Sequence, residues 1–262
     1  MIGAAMNSTP AIIASGLGKH YGNVHAVDQL SFDVQPGEIF GLVGPDGAGK
    51  TTTLRLLAGV LIPDSGSATV AGHDVRLDPE GAKRDLSYMP QRFGLYEDLT
   101  VDENIRFYAD LFGVSRKKRE ERSAELLAAA GLAEFRRRLA GNLSGGMKQR
   151  VAIARVLAND AKVVLMDEPF GALDAMTREH LQDELLEIWQ RTGLTVLFVT
   201  HSIEEAIFLA DRIVVMSPGP GRIEGEVNVS LPRPRDVVTP EFNAIRRELS
   251  LQLHSQHGRK AA

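Results

Sequence analysis

One short stretch constrains this chain more than any other. Gly44-Pro45-Asp46-Gly47-Ala48-Gly49-Lys50-Thr51 fits the pattern G-x-x-x-x-G-K-[ST]. The pattern carries meaning only between a strand and a helix. Glu38-Ile39-Phe40-Gly41-Leu42-Val43-Gly44 reads as a buried strand running into a turn. Thr51 to Ala58 sets Leu54, Leu57 and Ala58 on one helical face, and Gly59 stops the helix. With that context met, a nucleotide-phosphate cradle is favoured over a glycine-rich turn bearing a surface lysine. Glycines let successive N–H groups turn inward around a phosphate without Cβ clashes. The helix that follows adds its positive end. Lys50 can neutralise the β- and γ-phosphates, and the Thr51 hydroxyl can ligate Mg²⁺.

Around this loop, short apolar runs alternate with helical stretches. Val163-Val164-Leu165-Met166-Asp167, Leu194 to Thr200 and Ile213-Val214-Val215-Met216 read as strands covered on both faces. The expected class is α/β, a mostly parallel sheet flanked by helices. From about Val101 to Leu139 the chain is rich in Ala, Leu, Glu, Lys and Arg at helical spacing, which predicts a helical subdomain inserted between two halves of the core. Leu231 to Ala262 opens with Pro232, Pro234 and Arg235. It then predicts one amphipathic helix with Phe242, Ile245, Leu249 and Leu253 on a common face. Met1 to Gly18 carries no charge, but Asn7, Ser8, Thr9 and Pro10 interrupt it. It reads as a loose tail leading into a first strand, and not as a secretory signal. No window approaches the roughly 18 apolar residues of a membrane helix.

Composition removes several classes. The 262 residues contain no cysteine, which excludes disulfides, thiolate metal sites and cysteine nucleophiles. A formal charge of −4 gives no basic field to recruit nucleic acid. Arg116-Lys117-Lys118-Arg119 and Arg136-Arg137-Arg138 sit in mixed-charge helical segments and read as solvated faces. No nucleic-acid partner is expected.

Leu143-Ser144-Gly145-Gly146-Met147-Lys148-Gln149-Arg150 precedes another helical stretch. Ser144 suits an N-cap, and Gly145 and Gly146 expose N-terminal N–H groups, making a second anion site. Asp167-Glu168 follows Arg150 by seventeen residues, at the C-terminal end of an apolar strand. Ligands of open α/β sheets bind at that edge. There Asp167 can hold Mg²⁺ through water, and Glu168 can orient or deprotonate an attacking water. His201 follows the next strand at the equivalent end.

From about Ile12 to Met216 the sequence resembles the ATP-binding cassette transporter ATPases. Tyr21, in Lys19-His20-Tyr21-Gly22, matches the aromatic that stacks on adenine. Gly44 to Thr52 match the Walker A loop, and Gln91 in Met89-Pro90-Gln91 matches the residue that senses Mg²⁺ and the γ-phosphate. Leu143 to Gln149 match the signature sequence, and Val163 to Glu168 match Walker B. Ala172-Leu173-Asp174 matches the D-loop and His201 the switch histidine. The resemblance implies a RecA-like P-loop fold with an antiparallel β edge, the ATPase domain spanning 12–230. Its core would cover 12–91 and 158–230 and its helical subdomain 92–157, with a tail at 231–262. It also implies ATP and Mg²⁺ as ligands and a head-to-tail pair of cassettes. In that pair ATP is sandwiched between one Walker A loop and the partner's Ser144-Gly145-Gly146. Glu168, His201 and Gln91 would carry hydrolysis; Thr51, Gln91 and Asp167 would serve the metal; and Asp174 would reach the shared nucleotide. Transmembrane permease subunits are the implied partners, with a substrate-binding protein in an importer, and the cytoplasmic membrane face is the implied location. A kinase or GTPase leaves the signature segment and His201 unexplained. Ribosome- or DNA-acting cassette ATPases usually carry two cassettes or a long coiled coil.

The two halves resemble different branches. Gly37 to Thr53 and Phe93 to Thr100 are similar to drug- and polysaccharide-type exporter ATPases. Asp167 to Asp174, His201-Ser202-Ile203-Glu204-Glu205-Ala206, Ser217 to Ile223 and Leu231 to Arg235 are similar to nitrate, sulfonate and taurine importer ATPases. More separate segments favour the importer branch.

Overall fold

Apolar runs that are continuous and apolar runs that alternate build two different sheets in this chain. The structure is a computed structural model and describes residues 9–254 apart from 93, 160 and 172. The N-terminal tail before residue 9, Phe93 of the exporter-like segment and Ala172 of the Ala172-Leu173-Asp174 motif lie outside the described residues.

In chain order the first elements are strands β1 (Ile12–Tyr21), β2 (Val24–Val34) and β3 (Ile39–Val43), helix α1 (Lys50–Leu57), and strands β4 (Ser65–Val70) and β5 (His73–Asp74). Next come helix α2 (Pro79–Asp85), strand β6 (Leu86–Met89), and helices α3 (Val101–Leu111), α4 (Arg116–Ala129) and α5 (Gly145–Leu157). Strand β7 (Val163–Asp167), helix α6 (Ala175–Thr192), strand β8 (Thr195–Thr200) and helix α7 (Ile203–Leu209) follow. Strands β9 (Arg212–Met216) and β10 (Ile223–Asn228) and helix α8 (Pro240–His254) complete the order.

The main sheet has six strands in the order β10-β9-β3-β8-β7-β6, parallel except for β10. Its central strands are buried on both faces, and each face feeds a separate core. Phe40, Leu42, Leu165, Leu197 and Val214 point toward a cluster shared with α1 and the second sheet. Ile39, Val43, Val164, Met166 and Phe198 point toward a cluster shared with α5, α6, α7 and α8. Burial on both sides explains why these strands read as unbroken apolar runs. The antiparallel part is larger than one edge. Besides β10 it forms its own four-stranded sheet, β2-β1-β4-β5.

Helices α3, α4 and α5 lie between β6 and β7 in the chain, and α3 and α4 pack on α5. Helix α3 starts on a capping box. Thr100 Oγ1 accepts from the Glu103 N–H and Glu103 accepts from the Thr100 N–H. At the other end of the chain, Arg235 is buried among carbonyl oxygens. Its Nη1 donates to Ile207 and Ala210 at 2.6 Å each, its Nη2 to Val229 at 3.0 Å and its Nε to Leu231 at 3.1 Å. Burial pushes its guanidinium down to about 10. This clamp delivers α8 to the core, where Phe242 and Leu249 are fully buried and Ile245 and Leu253 pack beside them. Phe242→Ala removes a fully buried ring and is expected to lower the unfolding free energy by about 3–5 kcal/mol. Urea denaturation followed by circular dichroism measures that loss.

Candidate functional site

The C-terminal ends of β3, β7 and β8 lie side by side and deliver three sequence-distant segments to one edge of the main sheet. After β3 the chain turns tightly through Gly44 to Gly49 into α1. Gly47 and Gly49 sit at φ 79° and 80°, the left-handed region that glycine enters without a Cβ penalty. At Gly49 a Cβ would also lie 2.4 Å from the Ala26 carbonyl oxygen. No side chain caps α1, so its first N–H groups face the turn unclaimed by one.

Lys50 is buried inside this turn. Its Nζ donates to the carbonyls of Gly44 at 2.7 Å and Pro45 at 2.9 Å. Burial pulls the ammonium below the usual lysine range, while Glu168, Asp46 and Asp167 pull the other way. Thr51 Oγ1 donates to Asp167 Oδ1 at 3.0 Å. Asp167, 1% exposed, has its carboxyl raised by burial, an effect the Thr51 hydrogen bond opposes. Tyr88 reaches the other oxygen of Asp167 at 3.4 Å, and burial, with the Asp167 charge, pushes its phenol up to about 12.

Glu168 has φ 50°, a conformation that costs an ordinary residue about 1–2 kcal/mol. Its N–H donates to the Val199 carbonyl at 3.0 Å, which holds the turn. The result aims the side chain across the sheet edge. Gln91 Nε2 donates to Glu168 Oε2 at 3.1 Å, and His201 Nδ1 lies 3.4 Å from Glu168 Oε1.

A cavity of about 410 Å³ opens over the turn. Of the residues expected from sequence, Tyr21, Asp46, Gly47, Ala48, Gly49, Lys50, Thr51, Thr52, Gln91 and Glu168 line it. Gly44 and Pro45 stand behind Lys50, Asp167 behind Thr51, and His201 beside Glu168. Ser144, Gly145, Gly146 and Asp174 are not part of the cavity wall. They form two exposed helix starts: Ser144 Oγ accepts from Met147 N–H at 3.3 Å, and Asp174 Oδ1 accepts from Thr177 N–H at 3.0 Å. That bond, with a second from the Thr177 hydroxyl, holds the Asp174 carboxyl below its usual range. Val24, His25, Ala26 and Gly219 also line the cavity and were not expected from sequence. No motif marks them. The turn at Gly219 is drawn in by two backbone bonds, Gly221 N–H to Ala26 at 3.1 Å and Asp28 N–H to Gly221 at 3.0 Å.

Among the described residues no group of three or more His, Cys, Asp or Glu gathers to hold a metal. Thr51 and Asp167 offer oxygen donors only, the chemistry a hard cation takes when phosphate and water complete its shell.

The strand–loop–helix cradle, with acid and amide at the neighbouring strand ends, defines a P-loop nucleotide-binding protein. The family model for the ABC transporter matches residues 27–171. A taurine import ATP-binding protein, TauB, of Chromobacterium violaceum is 44% identical over 244 residues, 90% of this chain and 92% of its own length. A nitrate import ATP-binding protein, NrtD, of Synechocystis is 42% identical, covering 87% of this chain and 84% of its own. Among solved structures, a dimeric ATP-binding cassette in a post-hydrolysis state bound to ADP and Pi has a TM-score of 0.74. It is 30% identical, over 84% of this chain and all of that one. The chain belongs to the ABC transporter family, as an ATP-binding subunit with ATPase activity. Among the described residues no helix is long and apolar enough to cross a membrane.

Gly49→Ala sets a Cβ against the Ala26 carbonyl at a left-handed φ. It is expected to weaken ATP binding by on the order of 100-fold, the scale of about 2.7 kcal/mol. Isothermal titration calorimetry checks the loss.

Proposed function

We propose that two copies of this chain bind two ATP molecules head to tail, each between the Lys50 turn of one copy and Ser144-Gly145-Gly146 of the other. The separation of Ser144 from the cavity supports this reading. An anion-binding helix start that faces solvent, away from the cradle of its own chain, suits a nucleotide held by a second copy. Tyr21 stacks on the base. The N–H groups of the turn and Lys50 take the phosphates. Thr51 and Asp167 would hold Mg²⁺, with Gln91 nearby, and the ion would supply charge neutralisation at the phosphates.

Hydrolysis then follows from one observation: Glu168 is aimed into the cavity between Gln91 and His201. Its carboxylate accepts the proton of the attacking water. Gln91 donates to one oxygen, keeping the other turned to the water. His201 stands where a donor can meet the γ-phosphate as charge develops on it. Asp174, at the start of α6, reaches across to the second copy. ATP closes the pair and hydrolysis reopens it, and the motion is transmitted to transmembrane permease subunits at the cytoplasmic membrane face. The likeness to taurine and nitrate import proteins, over 87–90% of the chain, supports import of a small anion by way of a substrate-binding protein.

Glu168→Gln keeps the shape and removes the base. ATP binding is expected to persist while turnover falls by about 10²–10⁴. A phosphate-release assay alongside nucleotide binding reads both, and normal turnover would remove Glu168 from this role.

A further inference from the structure

Two side chains beside the site, an acid and a guanidinium, each keep a buried polar atom for which the fold supplies no partner. Glu205 lies in the first turn of α7, four residues beyond His201, and is 5% exposed. Its Oε1 is buried without a hydrogen-bond partner. Arg178 lies in the first turn of α6, four residues beyond Asp174, and its Nε is buried in the same condition. The guanidinium is near enough to act on the Glu205 carboxylate through its charge. Charged groups left half-satisfied in a low-dielectric interior are costly, and a pair of opposite sign within electrostatic reach has an evident way to relieve it.

The remaining atoms of each side chain hold a loop of the site. Arg178 Nη2 donates to the Leu173 carbonyl at 2.9 Å, immediately before Asp174. The Glu205 carboxylate is hydrogen-bonded to Thr200, immediately before His201. Thr200 Oγ1 in turn accepts from the Ser202 N–H at 3.0 Å, so the hydroxyl braces both sides of His201. Burial pushes the Glu205 carboxyl up to about 7, with Thr200 and Arg178 drawing it down and Glu168 raising it. An ion pair already made would leave less of that burial effect standing.

We propose that Arg178 and Glu205 form a direct ion pair when the Asp174 and His201 loops close on bound nucleotide. Glu205 is thereby a positioning residue that, through Thr200, holds His201 against Glu168. The inference rests on the roles proposed above for His201 and Asp174. It gives the two loops a mechanical link inside one copy: the loop that meets the second copy pulls on the loop that carries the histidine. Because the pair forms on closure and touches no nucleotide, its loss acts on the catalytic step and spares the binding of ATP to the cradle.

Steady-state ATPase kinetics of the full chain tests this. Glu205→Gln and Arg178→Met are each expected to lower kcat about tenfold and to leave KM within about twofold. The double variant is expected to be no slower than the slower single one, because partners of one pair do not add. Arg178→Lys keeps a cation in place and is expected to recover most of the rate. Unchanged kcat in both singles, or a double variant that loses the product of the two losses, overturns the pair. If Glu205→Gln does not fold, Arg178→Met against Arg178→Lys decides, and equal rates for those two overturn it. Glu168→Gln in the same assay separates the two levels. Normal turnover there defeats the assignment of the base. An inactive Glu168→Gln beside fully active Glu205→Gln and Arg178→Met defeats the ion pair alone.

Discussion

The buried ammonium of Lys50 is the interaction on which the site depends. It closes the Gly44 to Gly49 turn on itself by taking the carbonyls of Gly44 and Pro45. A lysine in this position pays desolvation, and its downward shift records that. Asp46, Asp167 and Glu168 offset part of the cost, so the cation and the acids that surround it are stabilised together. A phosphate entering the cavity offers the ammonium a charged partner in place of two neutral ones, which makes the turn a receptor for the anion.

That turn is useful only because the main sheet brings other groups to the same edge. Parallel pairing in register sets Val43 beside Thr200 and Asp167 beside Val199. Loops after three strands therefore emerge together, although Lys50, Glu168 and His201 are far apart in the chain. The left-handed conformation of Glu168 is a further local cost, offset by the hydrogen bond to Val199. A more relaxed backbone at that residue would carry the carboxylate away from Gln91 and His201. The large clusters on the two faces of the sheet hold the edge rigid enough to sustain it.

Much of this was legible in the chain. Strands buried on both faces show as continuous apolar runs, so β3, β7, β8 and β9 were readable within a residue or two. The cradle was readable because its glycines, lysine and threonine are each demanded by the phosphate. The separate four-stranded sheet was not. Its strands carry Ser, His and Gly in exposed positions, and β1 breaks register repeatedly along its length. Alternation survives only in short stretches such as Leu30-Ser31-Phe32-Asp33-Val34, too brief to mark the whole of these strands. The cavity's far wall was hidden for another reason: Val24, His25 and Ala26 belong to a hairpin and Gly219 to a turn joined by backbone bonds, which any residue can make. Glu205 and Arg178 were likewise invisible as neighbours, since their spacing in the chain bears no relation to the electrostatic reach between the starts of α6 and α7.

The central claim is that each ATP is held by the Lys50 turn of one copy and Ser144 of another. Complementation tests it most directly. Lys50→Ala and Ser144→Arg subunits should each hydrolyse almost no ATP alone. Mixed in equal amounts they should recover turnover, because the heterodimer restores one site with Lys50 from one copy and Ser144 from the other. If the mixture stays as inactive as its components while both variants fold and form heterodimers, the two anion-binding segments do not share a nucleotide across the pair.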